Sequence, residues 1–155
     1  MSTATMNAPA TTDEAAILAL IESIHAAHHS KDAAAFAAPF VADAEIFNLA
    51  PPLVHHGIDV REKQAWFESW ETPVEITSRD IEVTVSGDLA FARGFLHMSG
   101  TKKGAEGQVS FWMRETLCLE RRAGQWRIVH EHTSVPFYMD ASLRPAFDLK
   151  PEGVN

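Results

Sequence analysis

Apolar residues recur at two different periods along this chain, and the change of period divides it. Near the start, Ile17, Leu18, Leu20, Ile21 and Ile24 fall on one stripe at helical spacing. Thr12, followed by the acidic Asp13 and Glu14, is expected to cap that helix. Ser30, Lys31 and Asp32 break the pattern, and Asp32 can cap a short second helix running through Phe36 toward Phe40. Residues 44–49 read as a short strand, which Pro51 and Pro52 interrupt and residues 53–56 resume before Gly57. A third helix is predicted over residues 59–70, carrying Trp66, Phe67 and Trp70 at helical spacing.

From Val74 onward the period becomes two. Ile81, Val83 and Val85 alternate with Glu82, Thr84 and Ser86, and Gly87-Asp88 marks a turn. Three further strands are expected over residues 89–101, 108–121 and 125–137. This order predicts an α+β domain with helices on one face of a largely antiparallel sheet. The strand from Gln108 is apolar on both faces, with Phe111, Met113, Leu117 and Leu119 on one and Trp112 and Cys118 on the other. A sheet packed on one side alternates with polar residues, so helices are expected on one face and a second copy of the chain on the other, as a homodimer.

Composition narrows the function classes. The chain has 155 residues and 46% hydrophobic content, enough for one packed domain. A formal net charge of −8, with no cluster of Lys and Arg, argues against nucleic acid as a partner. The single cysteine, Cys118, permits no intrachain disulfide and reads as core filler. No segment approaches the apolar length a membrane span needs, and the start lacks a signal-peptide pattern, so a cytoplasmic location is expected. The organisation expected is a disordered tail over residues 1–12, a domain over 13–138 and an irregular extension over 139–155.

Four stretches resemble a known superfamily: residues 40–48 (Phe-Val-Ala-Asp-Ala-Glu-Ile-Phe-Asn), 56–59 (His-Gly-Ile-Asp), 87–93 (Gly-Asp-Leu-Ala-Phe-Ala-Arg) and 124–134 (Gly-Gln-Trp-Arg-Ile-Val-His-Glu-His-Thr-Ser). They are similar to the SnoaL-like superfamily, which includes ketosteroid isomerases and the association domain of calcium/calmodulin-dependent kinase II. The resemblance implies a cone-shaped barrel, a curved mixed sheet of about six strands with three helices on its concave face, enclosing a small organic molecule. It also places Asn48 where ketosteroid isomerases carry their general base, and Ile24 near the position of their oxyanion tyrosine. An amide is no base and Ile24 has no donor, so steroid isomerisation by the usual route is not expected. From the kinase domain, the resemblance brings pocket positions onto Arg93, Phe36 and Arg61, while Leu117 and Thr133 stand where that domain has further arginines.

If Arg93 points into the cone, strand alternation sends Phe91, Phe95 and His97 inward with it. On the closing strand the resemblance puts Val129, Glu131 and Thr133 inside, and Trp126, Ile128, His130 and His132 outside. A three-residue loop over 122–124 would pair Glu131 with Glu115; a two-residue turn would pair Glu131 with Thr116. On the first register Arg93, Glu115 and Glu131 form the polar centre of the pocket. Two readings of that cluster stand: a raised-pKa glutamate acting as base while Arg93 holds a carbonyl or carboxylate, or an internal salt-bridge network that touches no ligand. Phe36, Asn48, Arg61, Trp66, Trp70, Phe91, Phe95, Met113 and Thr133 are expected to line the ligand site.

No cofactor is expected. His130 and His132, two apart on one strand face, supply two metal ligands only if His97 or Glu115 adds a third, and an interface role is the preferred reading. His25, His28 and His29 read as a solvated helix end, and His55-His56 lies near the pocket mouth. Three functions remain open: a cofactor-free isomerase, lyase or cyclase working by proton transfer on a small carbonyl compound, a non-catalytic ligand-binding module, and an oligomerisation module.

Overall fold

The computed structural model describes residues 11–155; the expected tail lies outside them, apart from its last two residues. Helix α1 spans Thr12–Ser30, α2 Ala33–Ala37 and α3 Val60–Glu68; strands are β1 Phe40–Phe47, β2 His55–His56, β3 Glu75–Ser86, β4 Leu89–Gly100, β5 Val109–Arg122 and β6 Gln125–Ser134. The six strands form one open sheet in the order β2-β1-β6-β5-β4-β3. Only the β1–β6 pair is parallel. The architecture is the expected α+β one, with three helices and a mixed sheet, though the sheet does not close into a barrel.

Local signals act where the sequence set them, with small shifts. The cap of α1 is Thr11 rather than Thr12: its side chain accepts from Glu14 N and Glu14 reaches back to Thr11 N, a reciprocal capping box. Asp32 caps α2 and Asp59 caps α3. Lys31 ends α1 in the left-handed region, and its Nζ donates to Trp70 O at 2.6 Å, tying the helix hairpin to the end of α3. The first strand begins earlier than expected, at Phe40.

Ile17, Ile21 and Ile24 of α1 are buried with Phe36, Phe40 and Phe67 against Leu117, Leu119, Trp126 and Ile128 of the sheet. Leu18, expected on the same stripe, is 37% exposed, because it sits one position off the face that meets the sheet. Asp13 fastens the start of α1 to the β5–β6 hairpin by a bidentate pair with Arg121, at 2.8 and 2.9 Å, and accepts from Trp126 Nε1. A second cluster, Trp70, Val74, Ile76, Leu96, Phe111 and Met113, lies at the other end of the sheet.

Two glycines allow close approaches that no side chain would. Gly57 adopts φ +73 where β2 folds back, and a Cβ there would stand 2.2 Å from Ala42 O. At Gly94 a Cβ would meet Ile81 Cδ1 at 2.5 Å, beside the irregularity in β3 between Arg79 and Glu82.

The register of the closing hairpin differs from both expectations. Ala123-Gly124 makes a two-residue turn with Arg122 opposite Gln125, but between Ile128 and His130 the ladder slips, leaving Val129 as an extra residue. The slip inverts the phase of β6. Glu131 therefore faces Leu117, and Glu115 faces Thr133. Two outward assignments are also corrected: Trp126 and Ile128, expected outside, are 7% and 0% exposed and belong to the core.

The irregular segment 139–155 folds back on its own domain. Phe137 bridges to Pro145, Tyr138 Oη donates to Asp148, and Ala146 is buried. The Phe147 ring lies 4.6 Å from that of Phe111, at the open end of the sheet.

Candidate active site

Between the helices and the inner face of the sheet lies a cavity of about 560 Å³, in the range of small-molecule sites. Its walls are mostly apolar: Ile24, Phe36 and Trp66 from the helices, Leu96, Phe111 and Met113 from the sheet, and Phe147 from the C-terminal segment. Asn48 and His55 stand at the β1–β2 side, Asn48 with its Oδ1 already accepting from Leu49 N at 2.7 Å. Trp70, also in the wall, keeps a buried indole N–H with no partner among the described residues.

Strand geometry brings Glu115 and Glu131 together. Because Val129 is bulged, Glu131 sits opposite Leu117 and diagonal to Glu115 on the inner face, where side chains of neighbouring strands reach one another. The two carboxyls hydrogen-bond, and both line the cavity. Burial pushes the Glu115 carboxyl well above the ordinary carboxylate range, and the adjacent Glu131 charge raises it further. Burial also raises Glu131, but the nearby Lys63 charge and the hydrogen bond from Glu115 hold it back. Both carboxyls are thus driven toward the protonated form, Glu115 the more strongly.

Lys63 projects from α3 into the same cavity. Its Nζ lies 3.9 Å above the Phe36 ring and 4.3 Å above that of Trp66. Burial lowers its pKa to about 8, against the opposing pull of Glu131. His28 lies beneath, its Nδ1–H donating to Ile24 O at 3.0 Å and its ring edge-on to Phe36 and Phe67. Burial and the Lys63 charge drive its pKa down to about 3, so it is neutral at physiological pH.

These positions redraw the expected site. Phe36, Asn48, Trp66, Trp70, Met113, Glu115, Glu131 and Thr133 all line the cavity. Arg93 does not. Leu96, Ala92 and Ala90 take the inner face of β4, so Arg93, Phe91, Phe95 and His97 take the outer one; Arg93 is ion-paired with Glu82, both of them largely exposed. The expected inward set was the wrong half of the alternation. Phe91 is 43% exposed, and Phe95 lines a separate groove with Trp112, Arg114 and Leu149. Arg61 is exposed on the first turn of α3 and is absent from the cavity wall.

The cation that sequence reasoning missed is Lys63, two positions along the same helix. Its signal was present: position 63 lies one turn before Phe67 and three residues before Trp66, on the apolar side of α3. His25 and His28 were likewise missed. Far from a solvated end, both line the cavity, and only His29 is exposed, bonded to Glu75. His130 and His132 face away from the cavity and flank the Phe47 ring at 4.8 and 5.4 Å. Among the described residues no three His, Cys, Asp or Glu side chains gather as a metal site, and no helix is long and apolar enough to cross a membrane.

Comparison with known proteins agrees with this fold. A family model described as a SnoaL-like domain matches residues 17–138. No curated protein matches the chain significantly. Among solved structures, an NTF2-like protein of unknown function from Pseudomonas putida is similar over 92% of this chain and 99% of its own, at 29% identity and a TM-score of 0.79. A candidate scytalone dehydratase from Novosphingobium aromaticivorans shares the fold at 16% identity, covering 86% of this chain and 93% of its own, with a TM-score of 0.72. A candidate ketosteroid isomerase from Shewanella frigidimarina does so at 22% identity, over 75% and 92%, with a TM-score of 0.60. With the family match spanning all six strands, α2, α3 and all of α1 after its first five residues, the chain belongs to the SnoaL-like domain family.

Proposed function

We propose that this protein is a cofactor-free enzyme, an isomerase or lyase in class, that moves a proton on a small, largely apolar carbonyl compound bound in the cavity. The observation that carries the reading is the carboxyl pair: Glu115 and Glu131 meet at the wall of an apolar cavity that Lys63 also lines, and burial pushes both carboxyls up. A carboxylate in such a place is a stronger base than one in water, and its protonated neighbour supplies the complementary acid. Asn48 and Ile24, at the positions where the usual base and oxyanion donor would stand, also line the cavity but can transfer no proton. The acid-base groups thus lie on a different part of the wall, β5 and β6.

The test is exchange of solvent deuterium into the α-position of a ketone such as phenylacetone. Exchange catalysed by the protein, lost in Glu131→Gln and falling as the pair takes up its second proton at low pH, supports the reading. Saturable binding without exchange at any pH would assign the cavity to a binding module instead.

We further propose that the outer sheet face carries a homodimer interface. Leu89 and Phe91 are 60% and 43% exposed there, and farther along the same face the His97 and Trp112 rings lie 5.0 Å apart. Sedimentation velocity returning a monomer at micromolar concentration would refute it.

A further inference from the structure

Lys63 is an unusual occupant of the cavity. Of the chain's five lysines it alone lines the wall. Its amine is held over ring faces, 3.9 Å from the centre of Phe36 and 4.3 Å from that of Trp66, with Phe67 at 4.9 Å. No carboxylate forms a salt bridge with it within 4 Å among the described residues; Glu131 acts on it across the cavity. A lysine placed only to balance a buried charge would be bonded to that charge. This one lines the cavity with its nitrogen over aromatic rings, and the Glu115–Glu131 carboxyl pair lines the same cavity from the sheet.

We infer that Lys63 is a covalent catalytic residue that forms an imine with an aldehyde or ketone substrate, the Glu115–Glu131 pair carrying the protons. This deepens the proton-transfer reading and rests on it for the carbonyl class. It restricts that class to aldehydes and ketones, because esters and acids do not condense with an amine by loss of water alone.

The step balances with the residues present. The lone pair of neutral Lys63 forms the C–N bond as the carbonyl π bond breaks, and a proton passes from nitrogen to oxygen to give the carbinolamine. Glu115 gives its proton to the hydroxyl, the C–O bond breaks, and water leaves an iminium ion beside two carboxylates. The pair then removes a proton from the α-carbon, which yields the neutral enamine and restores the proton given. The iminium is the electron sink that Ile24 cannot provide. Reprotonation at carbon and hydrolysis release the product and the amine. Burial supports this by raising the fraction of free amine at pH 7 roughly 300-fold over that of an ordinary lysine.

The experiment is reductive trapping on the full chain: phenylacetone and sodium cyanoborohydride at pH 7, then peptide mapping by mass spectrometry. Lys63 is expected to be alkylated at least about 10-fold faster than Lys31, Lys102, Lys103 or Lys150. Glu115→Gln sharpens the test. It leaves in place the Glu131 charge that acts on Lys63, so a merely exposed amine would react at an unchanged rate; loss of the proton donor to the carbinolamine makes Lys63 react slower, while the other lysines are unchanged. No adduct at Lys63, or alkylation no faster than at the exposed lysines, overturns the imine. If deuterium exchange persists without an adduct and survives Lys63→Gln, the imine falls and proton transfer stands. An adduct without exchange keeps the imine and removes the proton-transfer reading.

Discussion

On the outer face of β4, Arg93 meets Glu82 in solvent; on the inner face of β5, Glu115 meets Glu131 at the wall of the cavity. The outer pair is opposite in charge and the inner pair alike, yet the inner pair carries the perturbed chemistry. Water screens Arg93 and Glu82, so their attraction is worth little. Glu115 and Glu131 meet in a dry wall, so both are driven toward the protonated form. Position relative to the cavity, more than residue type, decides which group becomes reactive.

The largest expected difference between the faces is in activity. Glu131→Gln should reduce α-proton exchange by about 10²- to 10⁴-fold, the usual weight of a general base, whereas Arg93→Ala should leave the rate within about 2-fold. Exchange assays on both variants decide it; equal losses would mean the outer face shapes the cavity.

Next comes packing beneath the bulge. Ile128 is fully buried because it stands opposite the core residue Leu119, ahead of the Val129 slip. Ile128→Ala should cost about 2–5 kcal/mol in chemical denaturation. A loss below about 1 kcal/mol would say that residue 128 faces outward.

The pH dependence follows from His28. Its folded pKa, about 3, lies below the ordinary 6.5, so the folded state binds fewer protons than the unfolded one over that interval. Stability should be fully present above about 6.5 and decline by about 4 kcal/mol as pH falls toward about 3. His28→Gln should flatten that limb, as read by denaturant midpoints at several pH values. An unchanged slope would mean the ring is solvated.

Smallest is the exposed ion pair itself: Arg93→Ala should alter stability by less than about 1 kcal/mol. A larger loss would place Arg93 in a buried network and erase the contrast between the faces.

Much of the architecture was legible in the chain. The change from helical to two-residue period set the order of elements, and Asp32, Asp59 and Gly87-Asp88 punctuated it where the structure does. The candidate site was only partly legible. Alternation identifies which residues of a strand share a face, so Phe91, Phe95 and Arg93 were correctly grouped, but it does not say which face is inside. That was decided by α1, whose isoleucines cover Ala90, Ala92 and Leu117.

By itself, then, the sequence determined the elements, their α+β order and the residues each strand puts on a common face, because those follow from local stereochemistry and turn chemistry. Only the tertiary structure decided that Glu131 meets Glu115, since one extra residue at Val129 inverts the phase of everything after it. It also decided that Lys63 is enclosed and Arg61 is not, because enclosure depends on how α3 is turned against α2 and the sheet. A lysine among aromatics reads as a surface residue until the opposite wall is in place.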